Sequence, residues 1–434
     1  MPIISRVYEL IHKSGNAFNL PYKAYYMSRR QNRYLRRKAK RQQKREEALK
    51  QYDNFEAVAG IDSLYIAANE ATKGVSWKQS VQRYQLNLFT NISKAREELI
   101  TGKDVRKGFI EFYICERGKV RFIQSVHIGE RVVQKSLCKF SLYPVLTYNI
   151  ILDNYASQKG KGTHFAIKRV TKFLTEHYKK YGNKGYILLV DFKSYFASIP
   201  HDLLKKNFRR YFTDERIIKL ADSFVDAFGE RGLGLGSETS QINAIVHINA
   251  IDHYIKEKAR IRGYGRYMDD SFIIHNSKEY LEDLLEKLKK LYAEYGVILN
   301  PKKTYITDLK HGFTFLKTRF YLTDSGKIIK KPCREFVTRE RRKLKRQARL
   351  VQKGLLSYEA VNTSYQSWRG SMRHRNARKT VYSMDMLFNK LFSEYKKKEV
   401  QNVSNGRSKT SKDSGITKPN RTVRSRGKTK YRRG

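Results

Sequence analysis

Cysteine is almost absent from this sequence. Cys115, Cys138 and Cys333 are odd in number and widely scattered. They fit buried thiols in a reducing compartment, not a disulfide frame or a zinc site, so a cytoplasmic location is expected. Long apolar runs are also missing. The best, Phe140 to Leu152, is short and contains Pro144, and a bilayer span needs roughly 20 residues. No basic amphipathic helix stands alone, so an anionic membrane surface ranks behind other partners. The opening residues, MPIISRVYELIH, carry a glutamate and lack the apolar core of a signal peptide. Acid is scarce as well. There are 41 Asp plus Glu against 90 Lys plus Arg, a formal net charge of +49 on 434 residues. A chain so basic meets a polyanion, and nucleic acid is the first candidate.

What is present is length enough for two or three domains and many rings, 30 Tyr and 22 Phe. Some are core and some can stack on bases. Residues 1 to about 50 read as a basic helical arm. From Arg29 to Arg45 there are ten Lys or Arg, Arg36 and Arg37 among them, and no acid. Without acidic partners such a face repels itself, which favours a phosphate-tracking arm over a merely solvated one. Trp77 to Ile100 reads as an amphipathic helix and Phe109 to Ile114 as a strand. The turn after it returns through Lys119 and Arg121, which could close over a triphosphate; the bland alternative is an exposed turn. A helix follows from Arg131 to Leu146, stopping near Pro144. The run Asp153 to His164 holds Gly160, Lys161 and Gly162, with Thr163 as N-cap of the next helix. It is not a P-loop, because the spacing is wrong.

Two stretches carry chemistry. Tyr186-Ile187-Leu188-Leu189-Val190 is a continuous apolar run of buried-strand type, and it ends at Asp191. A carboxylate there points into a cleft. Gly265 to Ile274 reads as a tight β-hairpin with Asp269 and Asp270 at its tip. Adjacent acids often mark only a solvated turn, so the pair gains meaning from its partners. Carboxylates held on strand ends suit nucleotidyl transfer, which uses two Mg²⁺ ions roughly 4 Å apart. Between the two sites lies the glycine-rich turn Gly232 to Gln241, feeding a helix whose Ile242, Ile245, Ile248, Ile251 and Ile255 share one face. After the hairpin, Ser277 caps a leucine-striped helix that Gly296 closes. Asn300-Pro301-Lys302-Lys303-Thr304 and Gly312-Phe313-Thr314-Phe315-Leu316 each lead into a strand. Glu335 to Lys398 is helical and basic. Gln401 to Gly434, with eleven basic residues and one acid, reads as a disordered polyanion-binding tail.

Taken in order, these segments resemble a reverse transcriptase, from about Phe112 to Leu322. Leu189 to Phe196 is similar to the family's first catalytic motif, and Tyr267-Met268-Asp269-Asp270 to its YxDD motif. The glycine-rich turn ending Ser240-Gln241 and the segments at Asn300 and Gly312 are similar to the others. The resemblance implies an α+β right-hand polymerase, with an antiparallel palm sheet backed by helices and a helical thumb. It implies metal ligation by Asp191, Asp269 and Asp270, with Mg²⁺ as two ions and Mn²⁺ as a substitute. It makes Lys303, or its neighbour Lys302, a proton donor at the leaving group. Lys119, Arg121, Phe196, Gly236 and Gln241 fall at dNTP-binding positions, Phe196 as a gate against the 2′-hydroxyl. Arg131, Lys161, His164, Arg36 and Arg37 are expected on nucleic acid. Gly234, Leu235 and Lys317 depart from the common pattern without touching the metal ligands.

The expected division is a basic arm over 1–54, interleaved fingers and palm over 55–330, a thumb over 331–398 and a tail over 399–434. The expected partners are an RNA template, a DNA or RNA primer and dNTPs, with an accessory protein subunit in addition. The Arg131 segment, the run from Tyr155 to His164 and the Ser-Gln ending resemble enzymes of diversity-generating retroelements. Rival readings are a template-independent or defence-associated polymerase, a group II intron maturase and a binding scaffold with a dead site.

Overall fold

The computed structural model describes residues 29–116 and 119–410. The chain forms two compact units, with the break between His311 and Gly312. Helices and antiparallel sheets share the first unit, the α+β class that the resemblance implies. Residues 1–28 and 411–434, which include much of the expected arm and tail, lie outside the described residues.

The first unit is built on a four-stranded sheet of order β4-β5-β3-β6, antiparallel throughout. The strands are β3 (Tyr186–Asp191), β4 (Tyr264–Tyr267), β5 (Asp270–His275) and β6 (Tyr305–Asp308). β3 is apolar at consecutive positions because both of its faces are covered. Leu188 and Val190 join the main core with Ile242, Ile245, Ile248, Ile251 and Ile255. On the other face Phe272 meets Phe173 of the Thr163–Tyr181 helix, ring centroids 6.2 Å apart. The outer edge of β4 is not open. Tyr155 N–H donates to the Arg266 carbonyl and Arg266 N–H to that of Asp153, both at 2.9 Å. A separate two-stranded ribbon, β1 (Phe109–Glu116) with β2 (Lys119–Val126), is the expected hairpin.

The second unit pairs β7 (Phe313–Phe315), β8 (Thr318–Leu322) and β9 (Ile328–Pro332) in one antiparallel sheet. Helices Arg334–Gln352, Tyr358–Ser371 and Arg378–Thr410 follow. Their core contains Leu344, Tyr365, Trp368 and Phe388, with Tyr365 stacked on Phe388 at 4.5 Å.

Five expectations need correction. Of the cysteines expected to be buried thiols, Cys138 is buried, but Cys115 is exposed and Cys333 half-buried. The helix expected over Trp77–Ile100 is two, Gln79–Leu86 and Leu88–Ile100. Asn87 leaves helical geometry, and Asn91 Nδ2 satisfies the freed Tyr84 carbonyl at 3.0 Å. The helix expected from Arg131 begins at Ile128 and does not stop at Pro144. A π-turn over Cys138–Leu142 widens the coil just before the proline, and the Tyr143 N–H donates to the Cys138 carbonyl five residues back. That loosened turn makes room for a ring that would clash in a regular α-helix. The N-cap of the next helix is Gly162, not Thr163, which is its first residue. Finally, helix Arg378–Thr410 enters the segment read as a disordered tail.

Candidate active site

Asp191 ends β3 and is 5% exposed. Directly across, Asp270 opens β5 in register with it. Asp269 follows Met268 in the two-residue turn that joins β4 to β5. Met268 has φ of +54°, the positive value that two-residue hairpin turns use to match strand twist. The sheet therefore presents three carboxylates at one end, as the apolar pattern of its strands requires.

The turn at 300–304 clamps the first of them. Asn300 Nδ2 donates to Asp191 Oδ1 at 2.9 Å, and Lys303 Nζ to Oδ2 at 2.7 Å. The Asn300 N–H donates to the Asp191 carbonyl at 2.8 Å. Between the two candidate lysines, it is Lys303 whose ammonium reaches the acid. The hydrogen bond to Asp191 holds Lys303 above its ordinary pKa, and the charges of Asp191, Asp270 and Asp269 add to this.

Burial pushes the Asp269 carboxyl above its ordinary value, and the Asp191 charge pushes the same way. Lys303 and Arg121 oppose it. Asp270 is pushed up to about 7, by burial first and then by the charges of Asp269 and Asp191. Carboxylates raised by burial and by a neighbouring carboxylate, as Asp269 and Asp270 are, are short of positive charge, and all-oxygen donors suit a hard divalent ion. These residues therefore fit the metal that the sequence implies. As the side chains stand, no three His, Cys, Asp or Glu among the described residues converge as a ready metal cage. Lys303 holds an Asp191 oxygen instead.

A feature that the sequence did not disclose lies behind the turn. Arg266 is wholly buried and pairs with the wholly buried Asp252. Its Nε and Nη2 donate to the Asp252 oxygens at 2.9 and 2.6 Å. Nη1 donates to the Met268 carbonyl at 3.1 Å and Nη2 to that of Ile245 at 2.7 Å. The Tyr264 hydroxyl also donates to Asp252. Burial works against the Arg266 charge, yet the Asp252 carboxylate outweighs it and the guanidinium stays above its ordinary pKa. The only available signal was an arginine inside an apolar hairpin, with no indication of its partner.

The glycine-rich turn joins the palm strands to the ribbon. The Leu233 N–H donates to the Phe196 carbonyl at 2.8 Å, and the Gln124 N–H of β2 to the Leu235 carbonyl at 3.3 Å. Gly236 has φ of +119°, and a Cβ there would lie 2.9 Å from the Gln124 carbonyl oxygen. A side chain would thus push the turn off the ribbon. Phe196 is half-buried, edge-on to Tyr195 at 6.1 Å. Tyr195 is itself fixed by donation to the Ala244 carbonyl at 2.6 Å.

The other expected residues separate into groups. Arg131, Gly236 and Gln241 line one cleft of about 580 Å³. Arg131 Nη2 donates to Ser125 at 3.1 Å, and Gln241 accepts from Ser157 at 3.3 Å. Arg121 is exposed on β2, and its charge is felt at Asp269. Lys119 opens β2. Lys161 is turned to the loop itself, donating to the Asn154 carbonyl at 3.0 Å and to Gln158 Oε1 at 2.8 Å. His164 is exposed in the first turn of its helix, and Arg36 and Arg37 are exposed on helix Arg29–Lys50. Among the described residues no helix is long and apolar enough to cross a membrane.

Residues 104–320, half of the chain, match the family model described as reverse transcriptase (RNA-dependent DNA polymerase). Protein YkfC of Escherichia coli (strain K12) is 25% identical over 278 residues, 54% of this chain and 72% of that protein. Among solved structures, telomerase from Candida albicans in complex with a fragment of telomeric RNA is 14% identical, with a TM-score of 0.45. That match covers 75% of this chain and 61% of the other. Apo telomerase from Candida tropicalis is 16% identical with a TM-score of 0.42, covering 52% and 48%. The chain spans less than two thirds of either telomerase chain.

Proposed function

The chain belongs to the reverse transcriptase (RNA-dependent DNA polymerase) family, and from that premise we propose that it extends a primer 3′-hydroxyl with dNTPs on an RNA template. The fold is the right-hand polymerase of that family. The observation that supports the reading most is the register of Asp191 with Asp270 beside Asp269 in the turn, clamped from the 300–304 side.

Asp191, Asp269 and Asp270 would hold divalent metal, two Mg²⁺ ions or Mn²⁺ as a substitute. Bound there, the metal supplies activation of the attacking hydroxyl and charge compensation at the phosphates. The chain's own groups do the rest. Lys303 has its ammonium beside the carboxylates and stays protonated. It is the candidate to give a proton to the departing pyrophosphate, a role worth about 10²–10⁴-fold in rate. Arg121, with Lys119 on the same strand, grips the triphosphate. Phe196 excludes the ribose 2′-hydroxyl. Gly236 and Gln241 bound the nucleotide pocket, and Arg131 and His164 steady nucleic acid. The exposed arm at Arg36 and Arg37 adds salt-sensitive affinity that is independent of sequence.

We assign fingers and palm to 55–330 and thumb to 331–398. A bacterial or phage retroelement of the diversity-generating type is the preferred setting, supported by the Ser240-Gln241 ending and the run from Tyr155 to His164. An accessory subunit is part of that proposal. Sequencing of products made with and without a defined RNA template tests it. Template-complementary DNA agrees with it. Product of uncorrelated sequence would replace it with template-independent synthesis.

A further inference from the structure

β5 begins at Asp270 among the carboxylates and ends at His275, paired with Tyr186. Five residue steps separate them, about 17 Å along the strand. At that far end lies a second cleft of about 550 Å³. Its walls include Lys180 and Tyr181 from the end of the Thr163–Tyr181 helix, Arg260 and Arg262 from the loop before β4, and His275 with Tyr280. None of these residues has a part in the reaction described above.

Three features of the cleft point to one kind of ligand. First, it is positively charged, with Lys180, Arg260 and Arg262 against one acid, Glu176. Lys180, Arg260 and Arg262 are exposed, and no ion pair holds any of them among the described residues. The acid that lines the cleft, Glu176, is paired with Lys172 at 3.7 Å. Second, it offers aromatic surface. His275 and Tyr280 stack with centroids 4.3 Å apart, and Tyr280 and Tyr181 remain 37% and 38% exposed. The Tyr280 hydroxyl donates to the Ala259 carbonyl at 3.2 Å, which fixes that ring at the rim. Third, Arg260 has φ of +54°, a backbone region that arginine rarely adopts. Local sequence does not favour that conformation. Its neighbour Ile261 is buried and donates its N–H to the Ile255 carbonyl at 3.0 Å. Strain of this kind gathers at ligand clamps.

We infer that this cleft binds one nucleotide unit, its base against the Tyr280 and Tyr181 rings and its phosphate between Arg260, Arg262 and Lys180. Arginine forks match phosphate oxygens, and every base has a face that stacks. The volume suits a ligand of that size. The unit is either a free nucleotide or an unpaired residue within an RNA strand, where splayed bases are the usual point of recognition. The inference concerns binding alone, so it stands or falls independently of polymerisation.

The test uses the full chain in EDTA, which removes metal-dependent nucleotide binding at the carboxylates. The probes are a short RNA with a central 4-thiouridine, and 5′-AMP. Arg260→Gly/Arg262→Ala removes both guanidinia, and glycine adopts the Arg260 backbone without strain, so folding is preserved. Lys287→Ala/Lys290→Ala removes equal charge from the helix that carries Tyr280. Ultraviolet cross-links of the RNA are expected in peptides holding Tyr181 or Tyr280. The arginine variant, and Tyr280→Leu, are expected to bind about ten-fold or more weakly, the scale of one lost stacking or phosphate contact. The lysine variant should lose far less. Loss confined to the RNA assigns the site to a strand, and equal loss for 5′-AMP assigns it to a free nucleotide. No cross-link in the Tyr181 or Tyr280 peptides, or equal losses in the arginine and lysine variants, overturns the inference.

Discussion

Arg266 and Asp252 form an ion pair with no solvent exposure on either side chain, and the same guanidinium donates to the carbonyl of Met268 beside Asp269. The pair thus connects the helical core to the turn that presents the acids. Arg266→Met leaves a buried carboxylate without its partner and should cost about 3–5 kcal/mol in urea unfolding. A double Arg266→Met/Asp252→Leu should recover much of that stability, since apolar replacements of buried pairs are often tolerated. It does not restore the bond to Met268. Its rate of nucleotide addition should therefore stay low while its melting temperature returns. Full recovery of both would reduce the pair to a packing role.

Lys303 and Lys302 separate by mutation. Lys303→Ala should lower kcat by about 10²-fold or more if it donates the proton, and the slope of rate against pH on the alkaline side should vanish with it. Lys302→Ala should change little, because it is Lys303 that reaches Asp191. Steady-state primer extension over a pH series reads both.

Asp270 makes metal binding pH-dependent. Its raised value, about 7, means that the folded, metal-free chain holds a proton there which the unfolded chain has already lost. Stability in EDTA should therefore fall as pH rises from the ordinary carboxylate value to about 7, and level off above it. Mg²⁺ needs the ionised form, so its affinity should rise across about pH 6 to 8 with release of a proton. Calorimetry in buffers of different ionisation enthalpy measures that proton. Asp270→Asn should weaken both trends, leaving the part that the raised Asp269 carboxyl contributes.

Phe196 tests the sugar gate. Phe196→Ala should admit rNTPs at a rate much closer to that of dNTPs, with the dNTP rate itself little changed. Competition between the two nucleotide types in one extension reaction is the measurement. An unchanged preference would remove Phe196 from that role.

Much of the site could be read in the sequence because its signals are local. An apolar run that stops at Asp191 defines a buried strand and its exit. Apolar residues flanking Asp269 and Asp270 define a hairpin and its tip. Ser277, which accepts the Tyr280 N–H at 3.0 Å, and Gly296, with φ of +69°, bound their helix as read. The features that escaped depend on distant partners. Asp252 lies within an isoleucine stripe fourteen residues from Arg266, and nothing local links them. Asp153 to Tyr155 cover the edge of β4 through backbone bonds that have no side-chain signature. The π-turn before Pro144 replaces a helix stop with a bulge, because the flanking Leu137, Leu142 and Leu146 are all buried and keep the axis in the core.

The most direct measurement is primer extension on a defined RNA template with Mg²⁺ and dNTPs, the native chain beside Asp269→Asn. DNA complementary to the template from the native chain, with none from Asp269→Asn and RNA binding nearly intact in both, is the predicted result. Equal synthesis by Asp269→Asn would contradict the assignment of the turn carboxylates as the catalytic centre.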